Sequence, residues 1–301
     1  MKEMLTINNL TKSFGKKTVL KGIDFKISEG EIVGLVGANG AGKTTIMKSI
    51  LGLASYQAGE ITIDGKMVST TSHQALEEVG ALIEYPGIYP FLSGYDHLKL
   101  FSENNTKEEL DEIVADLHMT DYINRKAKSY SLGMKQKLGI ALALLNRPRL
   151  IILDEPMNGL DPQATRDVRE LVLKLSKKGT SFLISSHILG ELEKIVDHFI
   201  ILNKGKIIQA MSVEELNAGH SHYVMLTTTD NEKAKEVLTA AKYELQVDRS
   251  VKIKMSENAD LANIIQVLYD NKIKINDVRH QENDMEESLL NLLDQKDGGK
   301  A

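Results

Sequence analysis

Apolar residues in the first 36 positions fall into short runs divided by polar turns, and this alternation predicts strands. The last of these runs, Glu31 to Val36 (EIVGLV), is almost wholly apolar, as in a strand covered on both faces. From Gly42 to Leu51 the spacing changes to that of a helix. Residues from about 85 to 147 read as mainly helical and end in an apolar-periodic helix from Ser131 to about Asn146. Residues 149 to 210 return to alternating strand and helix. Within them RLIILDE (149–155) sets four apolar residues before two carboxylates, the pattern of a central parallel strand reaching its C-terminal edge. Past about residue 218 the pattern restarts. Strands are expected at His220–Thr228, Tyr243–Val247 and Val251–Met255, and helices at Glu232–Ala241, Asp260–Tyr269 and Met285–Leu293. The closing KDGGKA is expected to be disordered. The expected organisation is an α/β core over 1–218, interrupted by a helical subdomain at about 85–147, then a small α+β domain over 219–301.

Composition narrows the function classes. The chain has 301 residues, 42% of them hydrophobic, enough for a substantial core. A formal net charge of -5 gives no global basic field, which argues against a nucleic-acid partner. With no cysteine, a disulfide framework and thiolate metal sites are excluded, and a reducing compartment fits. The N-terminal MKEMLTINNL lacks the apolar core of a signal peptide, and no apolar run approaches the roughly 18 residues of a membrane helix. A chain soluble on its own is expected, with any membrane role supplied through a partner.

The stretch GANGAGKT, Gly37 to Thr44, fits G-x-x-x-x-G-K-[ST] between an expected strand and an expected helix. Gly37, Asn39, Gly40 and Gly42 give a loop that can turn its N–H groups toward phosphate oxygens, at the positive end of a helix. Lys43 would reach the β and γ phosphates, the Thr44 hydroxyl would ligate Mg²⁺, and Thr45 would add a phosphate contact. This cradle denotes a nucleotide but does not separate a kinase from a GTPase or a motor. At the end of the 149–155 strand, Asp154 suits Mg²⁺ as a hard oxygen ligand. Glu155 is placed to orient an attacking water, and its ordinary pKa of about 4.3 favours positioning over proton abstraction.

Further stretches resemble the ATPases of ABC transporters. SYSLGMKQKLG (129–139) is similar to the family signature in a variant form, PMNGLDP (156–162) resembles the D-loop with Asp161 as its acid, and His187 in LISSHILGELE stands where the family has its switch histidine. Phe14 in LTKSFGKKTVL falls where the family stacks an aromatic ring on adenine. The order of these stretches matches the family from about residue 4 to 217. The resemblance implies a P-loop NTPase core of the ABC type, with ATP and Mg²⁺ held between two copies. Ser131 and Gly133 of one copy would then close over the γ-phosphate bound by the other, while Ser131 also reads as a plain helix N-cap.

One position departs from the pattern. In ALIEYPGIYPFLSGYDHL, Glu84 stands where the family usually has glutamine. A carboxylate there is a stronger Mg²⁺ ligand than an amide. This acidic form resembles the branch of bacterial exporters for bacitracin resistance and lantibiotic immunity. That likeness implies docking of an integral-membrane permease by the loop after Glu84, at the cytoplasmic face of the membrane, and export of a peptide antibiotic. Tyr85, Ile88, Tyr89, Phe91 and Leu92 suit a docking surface or, alternatively, the domain's own core. The competing reading is an ABC ATPase that acts on ribosomes or DNA. Such members carry two cores or long coiled coils, and this chain has one core and no heptad run.

Overall fold

The computed structural model describes residues 2–71, 73–218, 222–247, 251–255 and 260–282. The chain divides into two compact units, Met1–Val213 and Glu214–Ala301. The first begins with β1 (Glu3–Phe14), β2 (Lys17–Ser28), β3 (Ile32–Val36), α1 (Lys43–Ile50), β4 (Ala58–Ile63), β5 (Lys66–Met67) and β6 (Val79–Leu82). Three helices come next: α2 (Gly94–Phe101), α3 (Lys107–Asp116) and α4 (Leu132–Ala143). Then come β7 (Leu150–Leu153), α5 (Pro162–Ser176), β8 (Ser181–Ser186), α6 (Leu189–Leu192), β9 (His198–Asn203) and β10 (Lys206–Ser212).

Two sheets form the unit. β2-β1-β4-β5 is antiparallel, and β10-β9-β3-β8-β7-β6 is parallel except for β10. Every residue of β3, β7 and β8 is buried, as the unbroken apolar run of β7 and the apolar centre of β8 require. Ile46, Met47 and Ile50 of α1 join one core with Leu5, Ile23 and Ile61 of the first sheet and Leu35, Ile152 and Leu183 of the second. The helix that starts at the cradle is thereby fixed against both sheets. Four helices are capped by their own side chains: Ser93 and Thr106 form capping boxes on α2 and α3, and Ser131 and Asp161 cap α4 and α5.

The second unit contains α7 (Val213–Ala218, which starts at the boundary), β11 (His222–Thr228), α8 (Asn231–Ala240), β12 (Leu245–Val247), β13 (Val251–Met255), α9 (Leu261–Asp270) and β14 (Ile275–Glu282). Its sheet runs β12-β13-β11-β14 with every pair antiparallel, the split βαβ arrangement of ferredoxin-like domains. Val224, Leu226, Ile253, Leu238, Ile264 and Leu268 form its core. The sequence pattern assigns no strand to 275–282. β14 is an edge strand whose described side chains are mostly exposed, so it carries no apolar alternation to read. The helix expected at Met285–Leu293 and the closing KDGGKA lie outside the described residues, as do the first two residues of the strand expected from His220.

Arg149 ties three separate turns together at the start of β7. Its guanidinium donates to Asp64 at 2.8 Å and Glu29 at 2.9 Å, and Glu78 lies 3.4 Å away. Asp64 closes the β4–β5 turn, and Glu29 precedes β3. Arg149→Met should leave the fold intact but lower the thermal midpoint by roughly 2–5 °C, as for a half-exposed ionic cluster in a unit of this size. An unchanged melting curve would show that the three turns hold without it.

Candidate active site

The parallel strands β3, β8, β7 and β6 are neighbours, so their C-terminal ends open on one edge. β3 leads into the cradle Gly37–Thr44, β8 into His187, β7 into Asp154 and Glu155, and β6 into Glu84. One topological fact therefore gathers residues separated by more than a hundred positions.

The cradle needs its glycines for defined reasons. A Cβ on Gly37 would stand 2.3 Å from the Leu202 carbonyl oxygen, so the loop can pass β9 this closely only without a side chain. Gly42 has φ +118, and its Cβ would meet Leu20 at 2.8 Å. Ala38, Asn39 and Gly40 form the exposed crest. α1 starts after Gly42 with no side-chain cap, unlike the capped α2 to α5, and with no acidic residue in its first turn. Its first N–H groups and positive end are thus left for an anion, which fits a phosphate chain. Thr45 comes after Thr44 on this first turn and is half-buried.

Two short chains of contacts cross the edge. Thr44 Oγ1 donates to Asp154 Oδ2 at 2.7 Å, and Ser185 Oγ donates to Asp154 Oδ1 at 2.5 Å. The Glu155 N–H donates back to Ser185 Oγ at 2.9 Å. Lys43 is buried and donates through Nζ to the Gly37 carbonyl at 2.6 Å, with Glu155 Oε1 at 3.2 Å. The other Glu155 oxygen meets His187 Nδ1 at 2.9 Å. Glu155 sits at φ +49, a backbone region in which a glutamate is uncommon and which recurs at functional sites. A hydroxyl bonded to a buried carboxylate is a pair of adjacent hard oxygen donors, which fits Mg²⁺.

Glu84 is held elsewhere. Its carboxylate accepts from Lys48 Nζ on α1 at 2.8 Å. Among the described residues no group of three or more His, Cys, Asp or Glu side chains is gathered to hold a metal. In the structure Thr44 bonds Asp154, while the Glu84 carboxylate bonds Lys48.

Ser131, Gly133 and Asp161 line a cavity of about 600 Å³ with His118 and Gln163, to which no cradle residue contributes. Ser131 Oγ accepts from the Met134 N–H at 3.2 Å, and Asp161 Oδ1 from the Ala164 N–H at 2.8 Å, so both act as N-caps. The two helices are joined inward by the buried pair Lys137–Asp167 at 2.9 Å. Burial raises the Asp167 carboxyl, but hydrogen bonds from Lys137 and Gln163 outweigh it and hold its pKa below the ordinary value. Phe14 is 56% exposed at the end of β1, with Lys12 Nζ 4.6 Å from its ring centre, so it is not a core residue.

Sequence reasoning missed Ser185, Gln136 and Lys48. Ser185 had a signal, since it is the first polar residue after the apolar run FLI (182–184) of a buried strand. Gln136 donates to the Pro156 carbonyl at 3.1 Å and ties α4 to the segment after Glu155. Lys48 had no signal, because its partner is 36 positions away.

Comparison with known proteins agrees with this geometry. A family model described as ABC transporter matches residues 20–158. The ABC transporter ATP-binding protein YhcH of Bacillus subtilis (strain 168) is 36% identical over 297 residues, covering 97% of this chain and 96% of the relative. The bacitracin transport ATP-binding protein BcrA of Enterococcus faecalis is 36% identical over 245 residues, 80% of each chain. A solved structure of an ATP-binding subunit of an ABC transporter superposes with a TM-score of 0.66 at 30% identity, over 71% of this chain and 92% of that one. The family match over residues 20–158 and 36% identity to a relative aligned almost end to end make this chain, with its P-loop cradle, acid pair and histidine on one sheet edge, a member of the ATP-binding subunits of ABC transporters.

Proposed function

We propose that two copies of this chain bind ATP with Mg²⁺ at their interface, hydrolyse it, and drive a separate integral-membrane permease. The observation that carries this reading is the convergence of Lys43, Thr44, Asp154, Glu155 and His187 at the ends of three adjacent strands. Gly37, Asn39, Gly40, Gly42 and Thr45 shape the phosphate cradle, Lys43 neutralises the β and γ phosphates, and Phe14 stacks on the adenine. Thr44 and Asp154 would hold a magnesium ion, joined by Glu84 once its carboxylate leaves Lys48, and the ion would supply positive charge to the phosphate oxygens. Glu155 orients the attacking water, and His187, bonded to Glu155, contacts the terminal phosphate.

Ser131, Gly133 and Asp161 line a cavity to which the chain's own cradle contributes no residue. A site that needs both parts is completed by a second copy, which supports the dimer. The permease contact falls to the segment after Glu84. Tyr85, Tyr89 and Phe91 are 84%, 44% and 64% exposed, and Tyr89 stacks on Phe101 with ring centres 6.4 Å apart. Exposed rings held in place by one another make a docking surface rather than a core. The His97 ring, fully buried, takes the Tyr89 N–H on Nε2 at 2.8 Å and fixes the loop to α2. Among the described residues no helix is long and apolar enough to cross a membrane. The chain then sits at the cytoplasmic face of the membrane through the permease. BcrA is named for bacitracin transport, and by that likeness the cargo is an exported peptide antibiotic or similar amphiphile. The first unit carries the nucleotide chemistry, and the second is an accessory domain of the assembly.

Lys43→Ala should reduce ATP hydrolysis by about 100-fold or more, through loss of the buried cation in the cradle. Wild-type turnover in that variant would remove Lys43 from the site. Glu155→Gln should bind ATP, turn over about 100-fold more slowly, and elute as a dimer when ATP is present. A monomer with ordinary turnover would end the assignment of Glu155. In Tyr89→Ala/Phe91→Ala, nucleotide binding should persist while the permease no longer copurifies from detergent-solubilised membranes. Continued copurification would place the docking surface elsewhere.

A further inference from the structure

Glu84 leaves β6 with φ +58, a backbone conformation uncommon for glutamate. Its partner Lys48 lies four residues after Thr44 in α1. Residues so spaced share one helix face, about 6 Å apart along the axis. The Glu84 carboxylate is thus held by a residue one helical turn beyond Thr44, whose hydroxyl bonds Asp154. The segment from Tyr85 onward is joined to Glu84 through the backbone, so a shift of Glu84 is passed to it. Pro86 packs on Gly139 of α4 so closely that a Cβ on Gly139 would stand 2.7 Å from Pro86 Cβ. Tyr85, Tyr89 and Phe91 in this segment are exposed.

We propose that Lys48 is a positioning residue that holds Glu84, and with it the aromatic segment 85–91, away from the Thr44–Asp154 pair until a divalent cation competes for the Glu84 carboxylate. The inference rests on the reading of Glu84 as a metal ligand given under Proposed function. The side chains of Lys48 and Glu84 are 34% and 56% exposed, and ion pairs of this kind are weak. A divalent cation carries twice the charge and prefers carboxylate oxygen, so it can displace an ammonium from the same group. A glutamine at 84 would form no ion pair with Lys48, so the restraint depends on the carboxylate. Lys48 also suits the negative end of α1, being in its last turn. That role does not require its Nζ to reach the carboxylate at the end of β6, and here it does.

The test is Mn²⁺ binding to the full chain with a non-hydrolysable ATP analogue, followed by the electron paramagnetic resonance signal of free Mn²⁺. Lys48→Met should tighten Mn²⁺ about two- to fivefold, the range a surface ion pair can supply. Lys48→Arg, which keeps the charge, should stay near wild type. In a Glu84→Gln background, Lys48→Met should change nothing. Hydrogen exchange over residues 85–92 should respond to Mn²⁺ in the wild type and much less in Lys48→Met. If Lys48→Met left Mn²⁺ affinity unchanged while Glu84→Gln weakened it, the positioning role would be wrong and Glu84 would remain a ligand. Equal tightening by Lys48→Met in the Glu84→Gln background would reduce the effect to general charge and overturn the proposal. Unchanged Mn²⁺ affinity in Glu84→Gln alone would remove Glu84 from the metal, and the role of Lys48 with it.

Discussion

Parallel pairing of β3, β8, β7 and β6 sets the direction of four strand ends, and the geometry of the site depends on that direction. Backbone hydrogen bonds fix the register: Leu82 lies opposite Leu153, and Leu153 opposite Ile184. A shift of one residue in β7 would turn Asp154 away from Thr44 and bury an apolar neighbour in its place. Such a shift would also expose part of Leu150–Leu153, whose side chains are all buried. The hydrophobic core thereby enforces the placement of the carboxylates. Chemistry at this edge needs hydrogen-bond precision, and the sheet supplies it without further ordering at the time of reaction.

Electrostatics complete what the sheet begins. α2, α3, α4 and α5 satisfy their first N–H groups with their own side chains, and α1 does not. An uncapped helix start is costly unless water or a ligand serves it. Lys43 lies buried beside that start, held by the Gly37 carbonyl and Glu155. A buried ammonium is tolerable only with close partners, and both partners can be exchanged for phosphate oxygens. The cradle is therefore pre-organised around positive charge, and Glu155 balances it across the edge.

How far the sequence discloses this depends on the range of each feature. The cradle is local, so its glycines, Lys43 and Thr44 are readable within eight residues. β7 is readable because a strand covered on both faces must be apolar throughout. The pair Lys48–Glu84 is not: Glu84 stands out against the family pattern, but Lys48 is ordinary in the last turn of a helix, and the contact joins residues 36 positions apart. Ser185 is legible only once Asp154 is known to need a donor. β14 escapes because an edge strand can be polar on most positions, and its pairing to β11 is made by backbone groups that every residue carries. Phe14 shows the reverse. Its sequence position admits a core residue or a stacking ring, and its exposure excludes the first.

Glu84 and Glu155, each at the end of its own strand, adopt positive φ, and each faces a lysine of α1. The two pairs differ in burial, and this difference decides what each can do. Lys43 and Glu155 are 6% and 19% exposed, so separating them without a replacement charge would be costly. Lys48 and Glu84 are far more open to water, so their separation costs little. The first pair therefore preserves the shape of the catalytic edge, whereas the second can change partners within an ordinary thermal range. A single helix thus carries at its start an enclosed contact, which gives way only to another charge, and a yielding one a turn later. The yielding contact is the one joined to the exposed aromatic segment.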